Sequence, residues 1–163
     1  VAEWYKKRFR VELDPQKEVI ALIGSKEGIA NITRAFVNPG DHVLAPDPAY
    51  PVYANGGTLL SEGIPVPMPL LEEEGFKPNL EAITERGAKM MFLNYPNNPT
   101  SAVMDRDSLR RVIEFAAENN IILCYDNAYS EVTFDSYKAP SVLEIEGAKD
   151  VAVEFHSPSE ITS

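Results

Sequence analysis

The sequence predicts an α/β fold: a three-layer α/β/α arrangement around a mostly parallel sheet. Two observations carry this. Short apolar runs alternate along the chain with longer stretches of helical spacing, and such alternation implies parallel strands with helices on both faces. Polar residues also collect just after the predicted strands, at Ser25, Tyr50, Asn98, Asp126, Tyr129 and Ser157. In an open parallel sheet the carboxyl ends of the strands line one edge, and ligands bind there.

The elements follow in order. Residues 1–10 read as the tail of a helix already under way, with Trp4, Tyr5 and Phe9 at helical spacing and no capping residue at Val1 or Ala2. A short strand over 19–23 leads into Gly24-Ser25-Lys26-Glu27-Gly28, and the spacing of Ile29, Ile32, Ala35 and Phe36 makes the next segment a helix. Asn38-Pro39-Gly40-Asp41 closes it as a turn. A strand over 42–45 reaches the proline-punctuated loop 46–51, a third strand spans 64–68, and a helix covers 79–86. The strand 89–93 meets the loop 94–100. The clearest helix is 105–119, with Leu109, Val112, Ile113, Ala116 and Ala117 on one face. A strand over 121–125 runs into Asp126-Asn127-Ala128-Tyr129, and the last strand, 151–155, ends at His156. No repeat, low-complexity tract or linker interrupts residues 1–163, so one domain is expected.

Composition narrows the function. With 44% apolar and 25% charged residues the chain is ordinary globular material. Fifteen basic against 25 acidic residues give a net charge of −10, which argues against nucleic acid and anionic membrane as partners, since both need a basic face. The single cysteine, Cys124, lies in an apolar run and reads as a small buried hydrophobe. It allows no internal disulfide, which makes a reducing cytoplasm the default compartment. No apolar run approaches about 20 residues, and no signal-peptide pattern opens the chain.

Four loops carry chemistry. A glycine followed by a polar turn that opens a helix, as at Gly24 to Gly28, offers backbone N–H groups and the positive helix end to an anion, with the Ser25 hydroxyl beside them. The same turn also suits an ordinary helix cap. Tyr50, in Pro48-Ala49-Tyr50-Pro51, offers a ring for stacking or covers a loop. Asn97-Asn98-Pro99-Thr100 is either a polar binding loop or a proline-terminated turn. Asp126, at the end of an apolar strand, needs a partner if buried; its alternative is a helix cap with Tyr129 in the core.

Together and in this order, G-S-K-E-G, P-A-Y-P, N-N-P-T, Y-D-N-A-Y and H-S resemble the motifs of pyridoxal-phosphate (PLP) aminotransferases of the aspartate aminotransferase type. Within that type the likeness is to the LL-diaminopimelate aminotransferase-like branch. The resemblance implies an incomplete large domain over 1–163, truncated at both ends, with the small domain absent. It implies PLP as cofactor, with Ser25 and Lys26 at the phosphate, Tyr50 on the ring face, Asn98 and Tyr129 at the phenolic oxygen, Asp126 at the pyridine nitrogen, and Ser157 as a further cofactor contact. Tyr53 is a lesser candidate. The parent reaction moves an amino group between an amino acid and a 2-oxo acid, and the parent family forms homo-oligomers, as dimers with shared active sites.

Two departures stand against the family pattern. Ser101 replaces the usual glycine after N-P-T, where a left-handed backbone would strain serine. Glu160 stands at the position of the Schiff-base lysine, in His156-Ser157-Pro158-Ser159-Glu160. Lys26, Lys89, Lys138 and Lys149 do not suit a nucleophilic amine held beside the ring. The arginines that would bind phosphate and the substrate carboxylate are expected in segments beyond these residues. The sequence therefore implies a chain inactive alone, binding PLP noncovalently at most. Alternatives are a non-catalytic remnant or interaction module on the same sheet, and a PLP-dependent lyase or decarboxylase, which the asparagine loop suits less well.

Overall fold

A parallel strand that is covered on both faces must be apolar on both, and Met90-Met91-Phe92-Leu93-Asn94 meets that condition with every residue buried. This run is the central strand of the computed structural model, which describes residues 1–157. Five parallel strands, β1 (His42–Asp47), β2 (Ile64–Pro69), β3 (Met90–Asn94), β4 (Ile122–Asp126) and β5 (Ala152–Phe155), form one sheet in the order β2-β1-β3-β4-β5. Side chains alternate across it as the strand period requires. Met91, Leu93, Leu123 and Tyr125 enter one apolar layer with helix α3 (Arg106–Glu118), while Met90, Phe92 and Cys124 enter the opposite layer with helix α2 (Ser25–Phe36). Burying each large apolar side chain in this way is worth about 1.5–3 kcal/mol. Helix α1 (Ala2–Phe9) adds a satellite cluster of Tyr5, Phe9 and Val11. No helix among the described residues is long and apolar enough to cross a membrane.

The helices begin where their chemistry allows. Asp105 caps α3, its side chain accepting from the Ser108 N–H at 2.8 Å and from Lys77 Nζ at 2.7 Å. Those donors hold the Asp105 carboxyl well below the usual carboxylate range. Phe115, rather than Ala117, completes the buried face of α3. In α2, the Glu27 carboxylate reaches back to the Ile23 N–H at 2.7 Å. Gly28 lets α2 press onto the sheet: a Cβ there would lie 2.8 Å from the Phe155 ring and 2.4 Å from Leu22.

The sheet opens at one place. β1 pairs with β2 along six residues, but with β3 only at Val43↔Met90 and Leu44↔Met91. Pro46 has no N–H to give to a neighbour on that side. Beyond Leu44 the carboxyl ends of β1 and β3 are therefore not laddered together. The strand order also reverses between these two strands, the topological position where ligand crevices form.

Two expectations are corrected, and one element is new. Residues 19–23 form no strand: Ile20 is 81% and Ile23 99% exposed. A strand is stable only when its N–H and C=O groups find a neighbouring ladder, and no described strand lies beside this segment. The helix expected over 79–86 is one 3₁₀ turn, Leu80–Ala82, capped by Asn79. Leu80 and Ile83, three apart, both enter the core from that single turn. Finally, an unforeseen π-helical segment, Val52–Thr58, continues into a 3₁₀ turn, Leu59–Ser61. Gly56 and Gly57 disguised it in the sequence.

β2 forms an outer edge of the sheet, and Pro65, Pro67 and Pro69 alternate along it. Ile64 N–H donates inward to Asp41 O at 2.8 Å, so the alternate, outward-facing positions are the ones that proline occupies. An edge without donors resists pairing with another chain. Replacing Pro65 and Pro67 by valine is expected to restore outward donors and shift the chain toward larger species in sedimentation velocity; an unchanged distribution would show that the prolines do not guard the edge.

Candidate functional site

The opening beyond β1 and β3 is a cavity of about 210 Å³. Ser25, Lys26, Tyr50, Asn98, Asp126, Tyr129 and Ser157 all line it, joined by Gly24, Tyr53, Asn94 and Ala128. They arrive from five places in the chain. The first turn of α2 brings Ser25 and Lys26, and first-turn N–H groups have no preceding helical turn to satisfy them. Tyr50 and Tyr53 follow β1, Asn94 ends β3 with Asn98 in the loop after it, Asp126 ends β4 with Tyr129 after it, and Ser157 follows β5.

Asp126 is the charged centre of this wall. It is 5% exposed. The Tyr53 hydroxyl donates to Oδ2 at 2.9 Å, while Oδ1 is buried with no hydrogen-bond partner among the described residues. Burial pushes the carboxyl up to about 6, against the lowering pull of the Tyr53 hydrogen bond, the nearby His156 and the Ala128 N–H. Burial also raises the Tyr53 phenol far above its ordinary value, so it remains a donor. Tyr53 is itself fixed by stacking on Phe92, centroids 5.2 Å apart at 22°.

Asn94 links the two polar loops. Its Nδ2 donates to the Asp126 carbonyl at 2.8 Å, and its Oδ1 accepts from the Asn98 N–H at 2.7 Å. Asn98 Nδ2 then lies 3.4 Å from the Tyr129 hydroxyl, so an amide donor and a phenol meet at one point of the wall. Across the cavity, Lys26 Nζ sits 5.5 Å from the centroid of the Tyr50 ring. Asn98 and Tyr129 are shared with a neighbouring cavity of about 600 Å³, lined on its apolar side by Val103, Val132 and Phe134.

Sequence reasoning passed over Asn94, although one polar residue closing an otherwise apolar strand was a visible signal. Tyr53 ranked low because its partner, Asp126, is distant in the chain. Ser101 adopts φ 61°, the left-handed region where glycine is favoured. It closes a turn in which Asn97 Oδ1 accepts from the Thr100 hydroxyl at 2.7 Å and the Asn97 carbonyl accepts from the Ser101 N–H at 2.8 Å. Of the other lysines, Lys149 is committed to Glu18 at 2.8 Å and to the Glu12 carbonyl, and neither Lys89 nor Lys138 lines the cavity. Glu160 lies outside the described residues.

Comparison with known proteins gives a single answer. The family model described as aminotransferase class I and II matches residues 1–156. LL-diaminopimelate aminotransferase from Desulforudis audaxviator is 59% identical over 162 residues, covering 98% of this chain and 41% of that protein. The Aquifex aeolicus protein of the same name is 54% identical, with 98% and 42% covered. Among solved structures, substrate-bound BacF from Bacillus subtilis superposes with a TM-score of 0.92 at 41% identity, covering 98% of this chain and 41% of that one. A probable N-succinyldiaminopimelate aminotransferase from Thermus thermophilus gives 0.91 at 38% identity, with 97% and 43% covered. The chain thus spans about two fifths of the length of these relatives.

Because the Asp126 carboxyl is raised from 3.8 to about 6, the native state holds a proton there that the unfolded chain has released. Its contribution to stability is present below the ordinary value and is lost as pH rises through about 6, a loss of about 3 kcal/mol. Tyr53→Phe removes a donor to the charged form. The Asp126 midpoint, read by carboxyl ¹³C NMR, is expected to move above about 6, and stability at pH 8 to fall by roughly 1–3 kcal/mol, with a smaller loss near pH 4. An unmoved midpoint would mean that the hydrogen bond carries no electrostatic weight.

For Ser101→Gly the expected effect is stabilising, by about 1 kcal/mol, because glycine accepts the left-handed backbone without strain. Urea denaturation of both chains measures it, and a less stable glycine variant would contradict the strain argument.

Proposed function

Because this chain belongs to the class I and II aminotransferases, we propose that its cavity is the cofactor-binding part of a site for moving an amino group between an amino acid and a 2-oxo acid. The family is PLP-dependent. The observation that carries the reading is Oδ1 of Asp126, a buried acceptor with no partner among the described residues, on a residue that lines the cavity. A protonated pyridine nitrogen is the complement of such an oxygen, and pairing offsets the cost of burying the charge. The residues present therefore fit PLP.

When bound, PLP would supply an electron sink for the carbanion of the substrate. The chain's own residues would do the rest. Asp126 keeps the ring nitrogen protonated, held in place by Tyr53 and by Asn94. Asn98 and Tyr129, already within 3.4 Å of each other, donate to the phenolic oxygen. Ser25 and the first turn of α2 receive the phosphate at a helix N-terminus, with Lys26 beside them as a cation. Tyr50 covers a ring face, and Ser157 stands on the β5 side of the wall.

Relatives named LL-diaminopimelate aminotransferase, at 59% and 54% identity, support LL-diaminopimelate as the amino donor of the whole protein. The neighbouring cavity, reached past Asn98 and Tyr129, has room for the body of such a substrate. On this reading residues 1–163 are part of the large domain of a cytoplasmic homo-oligomer. Glu160 favours a second reading for the chain as it stands, a non-catalytic remnant or interaction module. A carboxylate is no amine, cannot hold the cofactor covalently and cannot replace lysine as the base of the proton shift.

Titration with pyridoxal 5′-phosphate decides between these. The expected result is saturable binding with a shifted cofactor absorbance band, no pyridoxyl group on any residue by mass spectrometry after borohydride, and no transaminase turnover. Binding is expected to weaken on Asp126→Asn. A flat spectrum would favour the remnant, and a borohydride-trapped lysine or clear turnover would overturn the assignment of Glu160.

A further inference from the structure

Behind the cavity wall lies a second buried acid that the site chemistry does not use. Glu154, on β5, has a fully buried side chain. Its Oε1 accepts from Asn127 Nδ2 at 2.7 Å and lies 3.0 Å from His156 Nε2, and its Oε2 accepts from the Ser141 hydroxyl. A carboxylate withdrawn from water persists only when donors surround it. These donors come from three segments, and two of them adjoin the cavity: Asn127 follows Asp126, and His156 precedes Ser157. The Asn127 amide also donates to the Pro140 carbonyl at 3.2 Å, and its N–H donates to the Phe155 carbonyl at 2.9 Å.

Helix α1 closes this network from outside. The rings of Trp4, Tyr5 and Phe9 surround the His156 imidazole, with centroids 5.1, 5.3 and 5.9 Å away. Among the described residues the imidazole's hydrogen bond is the one to Glu154, and its Nδ1 has no partner there. Glu154 is therefore the group that orients the ring. Arg8 ties the same helix to Glu131 at 2.8 Å and to the Ala139 carbonyl at 3.3 Å.

We propose that Glu154 is a positioning residue of the cavity, which through Asn127 and His156 sets the Asp126 wall against the Ser157 wall, with the aromatic face of α1 holding His156 in place. This deepens the cofactor reading, since the two walls are those assigned to PLP. Of the titratable groups around Asp126, His156 on the β5 side lowers its carboxyl, Tyr53 donates to it, Tyr125 on β4 is coupled to it, and Tyr50, Tyr129 and Lys26 share its cavity. Changes at Glu154 or His156 are thus read at Asp126 without any added ligand.

The test uses the full chain with Glu154→Leu, Glu154→Gln and His156→Gln. It follows the Asp126 carboxyl by ¹³C NMR, pyridoxal 5′-phosphate binding by fluorescence quenching, and thermal melting. The inference expects Asp126 to titrate at least about half a pH unit higher in His156→Gln, where a lowering charge is removed, and to be displaced from its original midpoint in Glu154→Leu. It also expects cofactor affinity per folded molecule to fall on the order of tenfold in Glu154→Leu, with partial rescue in Glu154→Gln. A lowered melting temperature with the Asp126 titration and the affinity unchanged would overturn it, because Glu154 would then be structural only. Should Glu154→Leu fail to fold, His156→Gln decides by the same readout. If the unsubstituted chain does not bind pyridoxal 5′-phosphate, the cofactor reading fails, while the positioning role still stands or falls on the Asp126 titration.

Discussion

Everything in this molecule that bears on chemistry depends on a carboxylate that is nearly, but not wholly, withdrawn from water. Asp126 ends the β4 strand inside the sheet, receives one strong donor from Tyr53, and keeps Oδ1 with no partner among the described residues. Burial of this kind destabilises the ionised form, which is why the carboxyl rises to about 6. A structural aspartate would be expected to saturate both oxygens or to lie at the surface. Half-satisfied, Asp126 stores an electrostatic preference for a cation in the cavity, at the expense of stability at neutral pH.

Keeping that carboxylate largely buried yet reachable from the cavity requires a sheet that closes tightly on one side and opens on the other. Tight closure comes from apolar residues on both faces of β3 and β4 and from the close approach of α2 at Gly28. The opening comes from the brief pairing of β1 with β3, which stops before Pro46. Loops that leave the strand ends there carry their polar residues into the gap. Asn94 and Asn97 stiffen one such loop, and the Glu154 network stiffens the wall made by β4 and β5. The cavity wall is therefore held by a connected set of buried hydrogen bonds, while Asp126 Oδ1, Asn127 Oδ1 and His156 Nδ1 have no partner among the described residues.

The sequence by itself determined where the five strands and the helices α1, α2 and α3 fall, because a short apolar run or an apolar period of about 3.6 is local information. It also determined which residue types end the strands: the site residues from Ser25 to Ser157 could be read off loops that follow apolar runs, and the motifs named the family. The identity of residue 160 as glutamate is likewise a fact of sequence alone. Tertiary structure decided what needs a neighbour. Residues 19–23 have strand composition but no ladder beside them, and 79–86 shrank to one turn because two core contacts sufficed. Tyr53 gained its role from Asp126, 73 residues away in the chain; Asn94 gained its own from loops on two strands, and Glu154 from three segments and a terminal helix. No window of sequence holds such pairings, since burial, desolvation and a missing hydrogen-bond partner are properties of atoms brought together by folding. The family could therefore be named from one line of residues, whereas the charge state of its central carboxylate belongs to the folded chain.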